Sequence, residues 1–192
     1  MYSRTSMWRI VSFILFIAVI YLSNEIYWYD KVEGEMIEAL EYAEVERDSL
    51  FYAANYLSTK MDSLPLGSPI DDSIIISSNY GWRKRPLGLG WQHHPGIDIH
   101  AWIYDTIYAT GDGKVVQAHW MGGYGRCVVI QHIGGYESTY AHLYRIFVKK
   151  GDSIKKGQPI GRAGNSGAVT GPHLHYEIRR DGKSTDPMDY IR

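Results

Sequence analysis

Cysteine is almost absent from this chain, since Cys127 is the only one among 192 residues. No disulfide can therefore form within the chain. This says little about the compartment, because many exported proteins also lack disulfides. Cys127 opens the apolar run Cys-Val-Val-Ile. That position predicts a buried structural thiol rather than a nucleophile.

Strong net charge is also lacking, because the formal charge at pH 7 is only -1. No basic run is interleaved with aromatic side chains, so nucleic acid is not predicted as a partner. The charge is nevertheless unevenly distributed. Residues 31–67 carry 3 Lys/Arg against 8 Asp/Glu, whereas residues 68–192 carry 15 against 11. All eight histidines lie at or beyond His93. Two differently built segments therefore follow one another.

No apolar run reaches the roughly 20 residues that cross a bilayer. The uncharged run at residues 10–22 comes closest, and Trp8 and the aromatic residues 27–29 extend it with interfacial belts. We predict an uncleaved transmembrane anchor over residues 1–30. The alternative is a cleaved signal peptide, but bulky residues stand where a small-x-small cleavage site is needed. Arginines before the run and acids after it predict that the remaining chain lies outside the cytoplasm.

Residues 31–69 are predicted to form a helical stalk and a Pro-rich linker. Apolar residues recur there with the 4-3 spacing of a short, imperfect coiled coil, which Arg47 interrupts. The seam comprises Met36, Leu40, Ala43, Leu50, Ala54, Leu57 and Met61. It predicts either a homodimer through the stalk or packing against the chain's own domain. Pro65 and Pro69 end the helix, because proline removes a backbone donor and disfavours the α conformation before it.

Residues 70–192 are predicted to form a mainly β domain, an antiparallel sandwich or a partly open barrel. Short runs rich in Val, Ile, Tyr and Thr alternate with glycine-containing turns, and no segment shows ten residues of helical periodicity. The glycine pairs 122–123 and 134–135 are typical of hairpin turns. The predicted strands are residues 74–77, 106–110, 114–120, 127–131 and 136–140.

Four histidines and one aspartate in this domain carry chemistry. His173 and His175 stand two residues apart on a predicted strand, so both rings project from one face. His94 and Asp98 bracket a Pro-Gly bend that should bring them together. His142 follows Tyr140 at the same two-residue spacing, so those two side chains are also expected to share a face.

Catalytic zinc sites use three nitrogen or oxygen ligands and keep one position for water, whose pKa falls to about 7. Three of the five side chains therefore suit one Zn²⁺, and the two remaining histidines suit proton transfer. Spacing alone does not decide between His173 and His175 as the ligand. His93 is the nearest competitor of His94, and only the spacing to Asp98 favours His94.

Residues from about 77 to 187 resemble the lysostaphin-type (LytM-like) zinc metallopeptidases. The matching stretches are Ser78–Arg83, His94–Ile99, Gly113–Val116, Tyr140–Leu143, Val148–Asp152, Gly157–Gly161, Gly164–Gly167, Gly171–Glu177 and Asp186-Pro187. The resemblance implies that His94, Asp98 and His175 bind zinc, and that His142 and His173 form the catalytic pair. It further implies endopeptidase cleavage of the peptide stems or cross-links of bacterial peptidoglycan.

Some members of that family are degenerate and only activate other hydrolases, but all five positions are intact in this sequence. A non-catalytic activator or scaffold is the alternative function. A biotinyl or lipoyl carrier is a third, because residues 148–160 resemble a carrier hairpin, but the lysine such carriers need at the hairpin tip is missing. A D,D cross-link is the first expectation for the bond, and a glycine bridge the alternative. The predicted location is the bacterial inner membrane, crossed once, with the catalytic domain in the periplasm of a diderm cell.

Overall fold

A computed structural model describes residues 4–71, 74–86 and 88–191. The chain divides into two compact units, of which the first ends at Asn55 and the second is Tyr56–Arg192. A single helix, α1 (Arg4–Asp62), makes up the first unit and the first residues of the second. By length and composition alone, α1 is able to cross a membrane, although a signal sequence near an N-terminus meets the same criterion.

The apolar side chains of α1 are exposed along the helix, both in the apolar run and at the seam. Phe13 and Phe16 of the apolar run at residues 10–22 are more than half exposed. Leu40 and Leu50 of the predicted coiled-coil seam are also more than half exposed. A helix that is apolar on all sides is expected inside a protein core or a membrane. The predicted stalk dimer stays a prediction.

The described residues of the second unit form thirteen short strands in three antiparallel sheets. Their bounds are β1 (Ile76–Ser78), β2 (Gly81–Lys84), β3 (Trp91–His94), β4 (Ile97–His100), β5 (Thr106–Tyr108), β6 (Gly113–Trp120), β7 (Arg126–Gln131), β8 (Tyr136–Leu143), β9 (Arg145–Ile146), β10 (Ser153–Ile154), β11 (Pro159–Arg162), β12 (His173–Arg180) and β13 (Lys183–Thr185). Short 3₁₀ turns occupy Gly122–Tyr124, Ile133–Gly135 and Pro187–Asp189.

The largest sheet runs in the order β1-β4-β12-β8-β7-β6-β10, with β13 paired to β12. The smaller sheets are β5-β11-β9 and β2-β3. Because the large sheet ends at β1 and β10, it is not closed into a barrel. The mainly β, antiparallel, partly open architecture predicted from the sequence is confirmed. Glycines with positive φ stand at both predicted turns, including Gly122 at 47° and Gly134 at 67°, where other residues would be strained.

The core fills the space between the large sheet and the three-stranded sheet. Ile107 of β5 and Ile160 of β11 pack with Leu174, Tyr176 and Ile178 of β12 in one buried cluster. Because strand side chains alternate in direction, the intervening residues of β12 project from the opposite face. That opposite face carries the candidate site. The β12 strand therefore joins the core to the site.

Cys127 is fully buried in a second, smaller cluster with Val129 and Ala141. Burial raises the pKa of its thiol to about 12. A thiol that stays protonated and inaccessible is inert as a nucleophile at neutral pH. This agrees with the structural role predicted from its apolar surroundings.

Candidate metal centre

Three predicted site residues converge where β4 pairs with β12 in the large sheet. His175 on β12 lies directly opposite Asp98 on β4, and His94 ends β3. The Nδ1 atom of His175 is 2.8 Å from Oδ1 of Asp98 and 3.0 Å from Nε2 of His94. The Nε2 atom of His94 is 3.1 Å from the same Asp98 oxygen. All three residues are buried and offer ligand atoms within 4.8 Å of one another.

The bend at Pro95-Gly96 brings His94 and Asp98 together, as predicted. A Cβ atom at Gly96 would lie 2.2 Å from the carbonyl oxygen of Tyr176, so only glycine allows β4 to pass this close to β12. The competitor His93 stands on the other face of β3, where its exposed ring packs edge-on against Tyr80. Among these neighbouring histidines, only His94 joins the cluster.

The donor set fits a divalent cation such as zinc. Nδ1 of His94 donates to the Asn79 carbonyl at 2.8 Å, which leaves its Nε2 lone pair directed at the cluster. Nε2 of His175 lies 3.0 Å from a Glu177 oxygen, which leaves Nδ1 directed inward. Two imidazole lone pairs and one carboxylate oxygen that meet at one point are the ligands of a mononuclear zinc site.

The Asp98 carboxylate is held in its ionised form. Burial raises its pKa, but hydrogen bonds with His175 and His94 outweigh burial and hold the pKa well below its usual value. Its second oxygen, Oδ2, accepts a hydrogen bond from Nη1 of Arg83 at 2.9 Å. The carboxylate therefore directs Oδ1 to the cluster, while Oδ2 is bound by the guanidinium of Arg83.

His142 and His173 flank the cluster as a pair, with ring centroids 4.9 Å apart. Nδ1 of His142 donates to the Ser166 carbonyl at 2.8 Å, and Nδ1 of His173 donates to the Gly171 carbonyl at 2.9 Å. Both histidines therefore keep Nε2 available toward the cleft. Burial lowers the pKa of His142 to about 4, so its ring is neutral near pH 7 and able to accept a proton.

The prediction that Tyr140 shares a face with His142 is wrong. Tyr140 lies in the core, where its hydroxyl meets Thr110, whereas His142 lines the cleft on the opposite face. The cause is the backbone of His142, which has a φ of 63° at the end of β8. A residue with left-handed backbone breaks the two-residue alternation of a strand. The imidazole therefore projects from the face opposite to the one that alternation predicts.

Left-handed backbone costs a residue with a Cβ atom about 1–2 kcal/mol, which is tolerated most often at functional sites. We therefore expect the free energy of unfolding of His142→Gly to exceed that of His142→Ala by about 1 kcal/mol. The glycine variant should accordingly unfold at a higher urea concentration. Both variants lose the same imidazole, so the difference between them measures the free-energy cost of the left-handed backbone at residue 142. Urea unfolding of the two proteins followed by tryptophan fluorescence measures it. Equal midpoints, or a more stable alanine variant, would contradict the strain.

An open cleft of about 650 Å³ contains the five residues. The β2-β3 sheet contributes Arg83, Lys84 and Gln92, and residues 168–170 form part of the opposite wall. Among the residues that the structure describes, Asp98 is the only carboxylate in the lining. The cleft is therefore large enough for a peptide segment and carries cationic side chains at one wall.

Two residues that contact the cluster were not singled out from the sequence. Glu177 meets His175, and Arg83 meets Asp98. A signal for Glu177 is present, because the spacing His173-x-His175-x-Glu177 places all three on one face of a strand. Arg83 stands on a different sheet from Asp98, so no local pattern connects them.

A buried His-Asp-His cluster with two further histidines in an open cleft is the arrangement of a mononuclear metallohydrolase. Comparison with known proteins identifies the family. Residues 92–187 match the model of peptidase family M23, and the chain belongs to this family.

The chain is 42% identical over 121 residues to the peptidoglycan DD-endopeptidase ShyA of Vibrio cholerae, which covers 62% of this chain and 28% of that protein. It is 34% identical over 119 residues to the glycyl-glycine endopeptidase ALE-1 of Staphylococcus capitis, which covers 59% of this chain and 33% of that protein. The chain thus spans about a third or less of the length of these two relatives.

A solved structure of a zinc-containing peptidase from Vibrio cholerae superimposes with a TM-score of 0.61 at 37% identity. The superposition covers 64% of this chain and 39% of that one. The fold and the family agree with the resemblance drawn from the sequence.

Proposed function

We propose that this protein is a membrane-anchored zinc endopeptidase that hydrolyses peptide cross-links of bacterial peptidoglycan. The observation that carries the proposal is the convergence of His94, Asp98 and His175 beside the His142–His173 pair in an open cleft. The names of the related peptidoglycan endopeptidases support the substrate.

In this proposal His94, Asp98 and His175 hold one Zn²⁺ per chain. The bound ion supplies a Lewis acid that polarises the scissile carbonyl and acidifies a water molecule. Arg83 keeps the second Asp98 oxygen engaged at 2.9 Å, so that the carboxylate offers a single oxygen to the ion. The second polar atom of each buried ligand side chain has a hydrogen-bond partner, and these bonds hold the ligand geometry before substrate binds.

His142 and His173 are the proposed catalytic residues. One of them takes a proton from the attacking water with its Nε2 atom, as a bond forms between the water oxygen and the carbonyl carbon. The other orients the substrate or passes this same proton on to the leaving amine as the carbon–nitrogen bond breaks, so that the proton taken from water ends on the amine. The pKa of His142, lowered by burial to about 4, keeps that ring neutral at pH 7, with a lone pair on Nε2.

A D,D cross-link between stem peptides is the proposed bond, because relatives at 40–42% identity are named DD-endopeptidases or DD-carboxypeptidase/endopeptidases. A glycine bridge is the alternative, since ALE-1 is a glycyl-glycine endopeptidase. Lys84, an exposed cation at the cleft wall, favours a substrate with free carboxylates, which stem peptides carry.

We further propose the division into an anchor at residues 1–30, a stalk and linker at 31–69, and a peptidase domain at 70–192. The apolar part of α1 would cross the inner membrane once, and the peptidase domain would lie outside the cytoplasm, in the periplasm of a diderm cell. The exposed seam on α1 would support a homodimer. These assignments fit a wall enzyme that works close to the membrane.

Digestion of purified peptidoglycan sacculi tests the function. The full chain in detergent, loaded with zinc, is incubated with sacculi, and the released muropeptides are identified by mass spectrometry beside the His173→Ala variant. We expect cross-linked dimers to disappear only with the intact protein, and the new ends to name the bond. Unchanged dimers at one bound zinc per chain would reject the enzyme and favour an activator of other hydrolases.

A further inference from the structure

Glu177 is a buried carboxylate that stands directly behind the candidate metal centre. Its side chain is 1% exposed, on the same face of β12 as His175. Oε1 lies 3.0 Å from Nε2 of His175, on the side of the ring away from Asp98. A buried carboxylate is costly unless it is paired, so its partners account for its presence there.

Both oxygens of Glu177 are fully engaged. Oε1 also accepts a hydrogen bond of 2.6 Å from the hydroxyl of Tyr124, and Oε2 accepts from Nε and Nη2 of Arg179, each at 2.9 Å. Arg179 therefore determines which oxygen faces which partner. The carboxylate cannot rotate without losing several charge-assisted hydrogen bonds.

His175 differs in this respect from the other three site histidines. His94, His142 and His173 each give Nδ1 to a backbone carbonyl and direct Nε2 to the site. His175 directs Nδ1 to the site and gives Nε2 to a side-chain carboxylate. Both ring nitrogens of His175 therefore face carboxylates, Asp98 at Nδ1 and Glu177 at Nε2. When a metal ion takes the Nδ1 lone pair, the remaining ring proton sits on Nε2 and Glu177 accepts it.

We propose that Glu177 is a positioning residue that holds His175 in the Nε2–H tautomer, so that its Nδ1 lone pair serves as a metal ligand. This inference rests on the proposed zinc site but not on the peptidase reaction. Carboxylates that accept from the second nitrogen of a metal-binding histidine orient the ring and increase its basicity. Tyr124, at the cleft wall, shares the same oxygen and so joins the loop at residues 121–125 to the ligand.

The isosteric variant Glu177→Gln tests the tautomer directly. An amide that keeps its oxygen toward His175 turns its NH₂ group onto the donors of Arg179. The flipped amide instead donates to His175 and moves the ring proton to Nδ1, which blocks the ligand atom. Either arrangement weakens zinc binding. We expect a 10–100-fold larger zinc dissociation constant for the full chain in competition with a chelator.

Two variants control for effects on the fold. Glu137→Gln makes the same change on β8, opposite Arg179 and four residues further along the sheet than His175. Tyr124→Phe removes a hydrogen bond from the same Glu177 oxygen without touching His175. We expect both to keep zinc affinity within about threefold of the wild type. An equal loss in Tyr124→Phe would assign the effect to packing of the cluster and overturn the proposal.

The wild-type chain supplies a test that no folding defect can obscure. Long-range ¹H–¹⁵N spectra of the zinc-loaded protein with ¹⁵N-labelled histidine show which ring nitrogen carries the proton and which binds the metal. We expect a protonated Nε2 for His175 and a protonated Nδ1 for His94. A protonated Nδ1 at His175, or unchanged zinc affinity in folded Glu177→Gln, would reject the role. Normal zinc binding without muropeptide cleavage would reject the proposed function and leave this inference intact.

Discussion

Replacement of His175 by alanine is expected to remove zinc from the protein and to abolish turnover. His175 lies within 3.0 Å of both other members of the cluster, and of the three it is the one on β12. Its loss removes one of three ligands and one of the three side chains that contact the Glu177 carboxylate. We expect zinc affinity to fall more than about a hundredfold, beyond the effect of losing an outer partner alone. Metal content after gel filtration and muropeptide release from sacculi measure the two losses.

The exposed His93 provides the matched control, because His93→Ala removes the same side chain next to the site but on the opposite face of β3. This variant should keep one zinc per chain and full activity. A fold check on metal-free His175→Ala by circular dichroism separates ligand loss from unfolding. Retention of zinc by folded His175→Ala would show that other residues bind the ion and that His175 is not a ligand.

Most of the site was predictable because its signals are local. His173 and His175 share a strand face by simple alternation, and His94 and Asp98 meet across a two-residue bend. Short β-rich runs separated by glycines also predicted an antiparallel fold that is not closed. The choice of His175 as the third ligand came from family resemblance and stays a prediction; the structure places His175 in one cluster with His94 and Asp98.

The remaining features depend on contacts that sequence spacing does not encode. The left-handed backbone of His142 reverses the direction that alternation predicts, and nothing in Tyr140-Ala-His142 signals it. Arg83 reaches Asp98 from a separate two-stranded sheet, over a separation of 15 residues. Tyr124 reaches Glu177 over 53 residues. Such pairings follow from the packing of whole sheets, so they became visible only in three dimensions.

Replacement of His173 by alanine is expected to separate metal binding from catalysis. Nε2 of His173 is 3.6 Å from Oδ1 of Asp98, whereas the nearest nitrogen of His175 is 2.8 Å from it. His173 also lies toward the cleft, is less buried than His175, and faces His142. It therefore stands beside the ligand set rather than within it, where a side chain can meet the substrate.

We expect His173→Ala to keep one zinc per chain while turnover of cross-linked muropeptides falls about 10²–10⁴-fold, the usual contribution of a positioned proton-transfer group. Metal analysis and initial rates on a purified cross-linked dimer measure both quantities. His100→Ala is the matched control, because His100 pairs with His173 across β4 and β12 but lies outside the cleft lining. Zinc loss in His173→Ala equal to that in His175→Ala would overturn the division of roles, since both histidines would then be ligands.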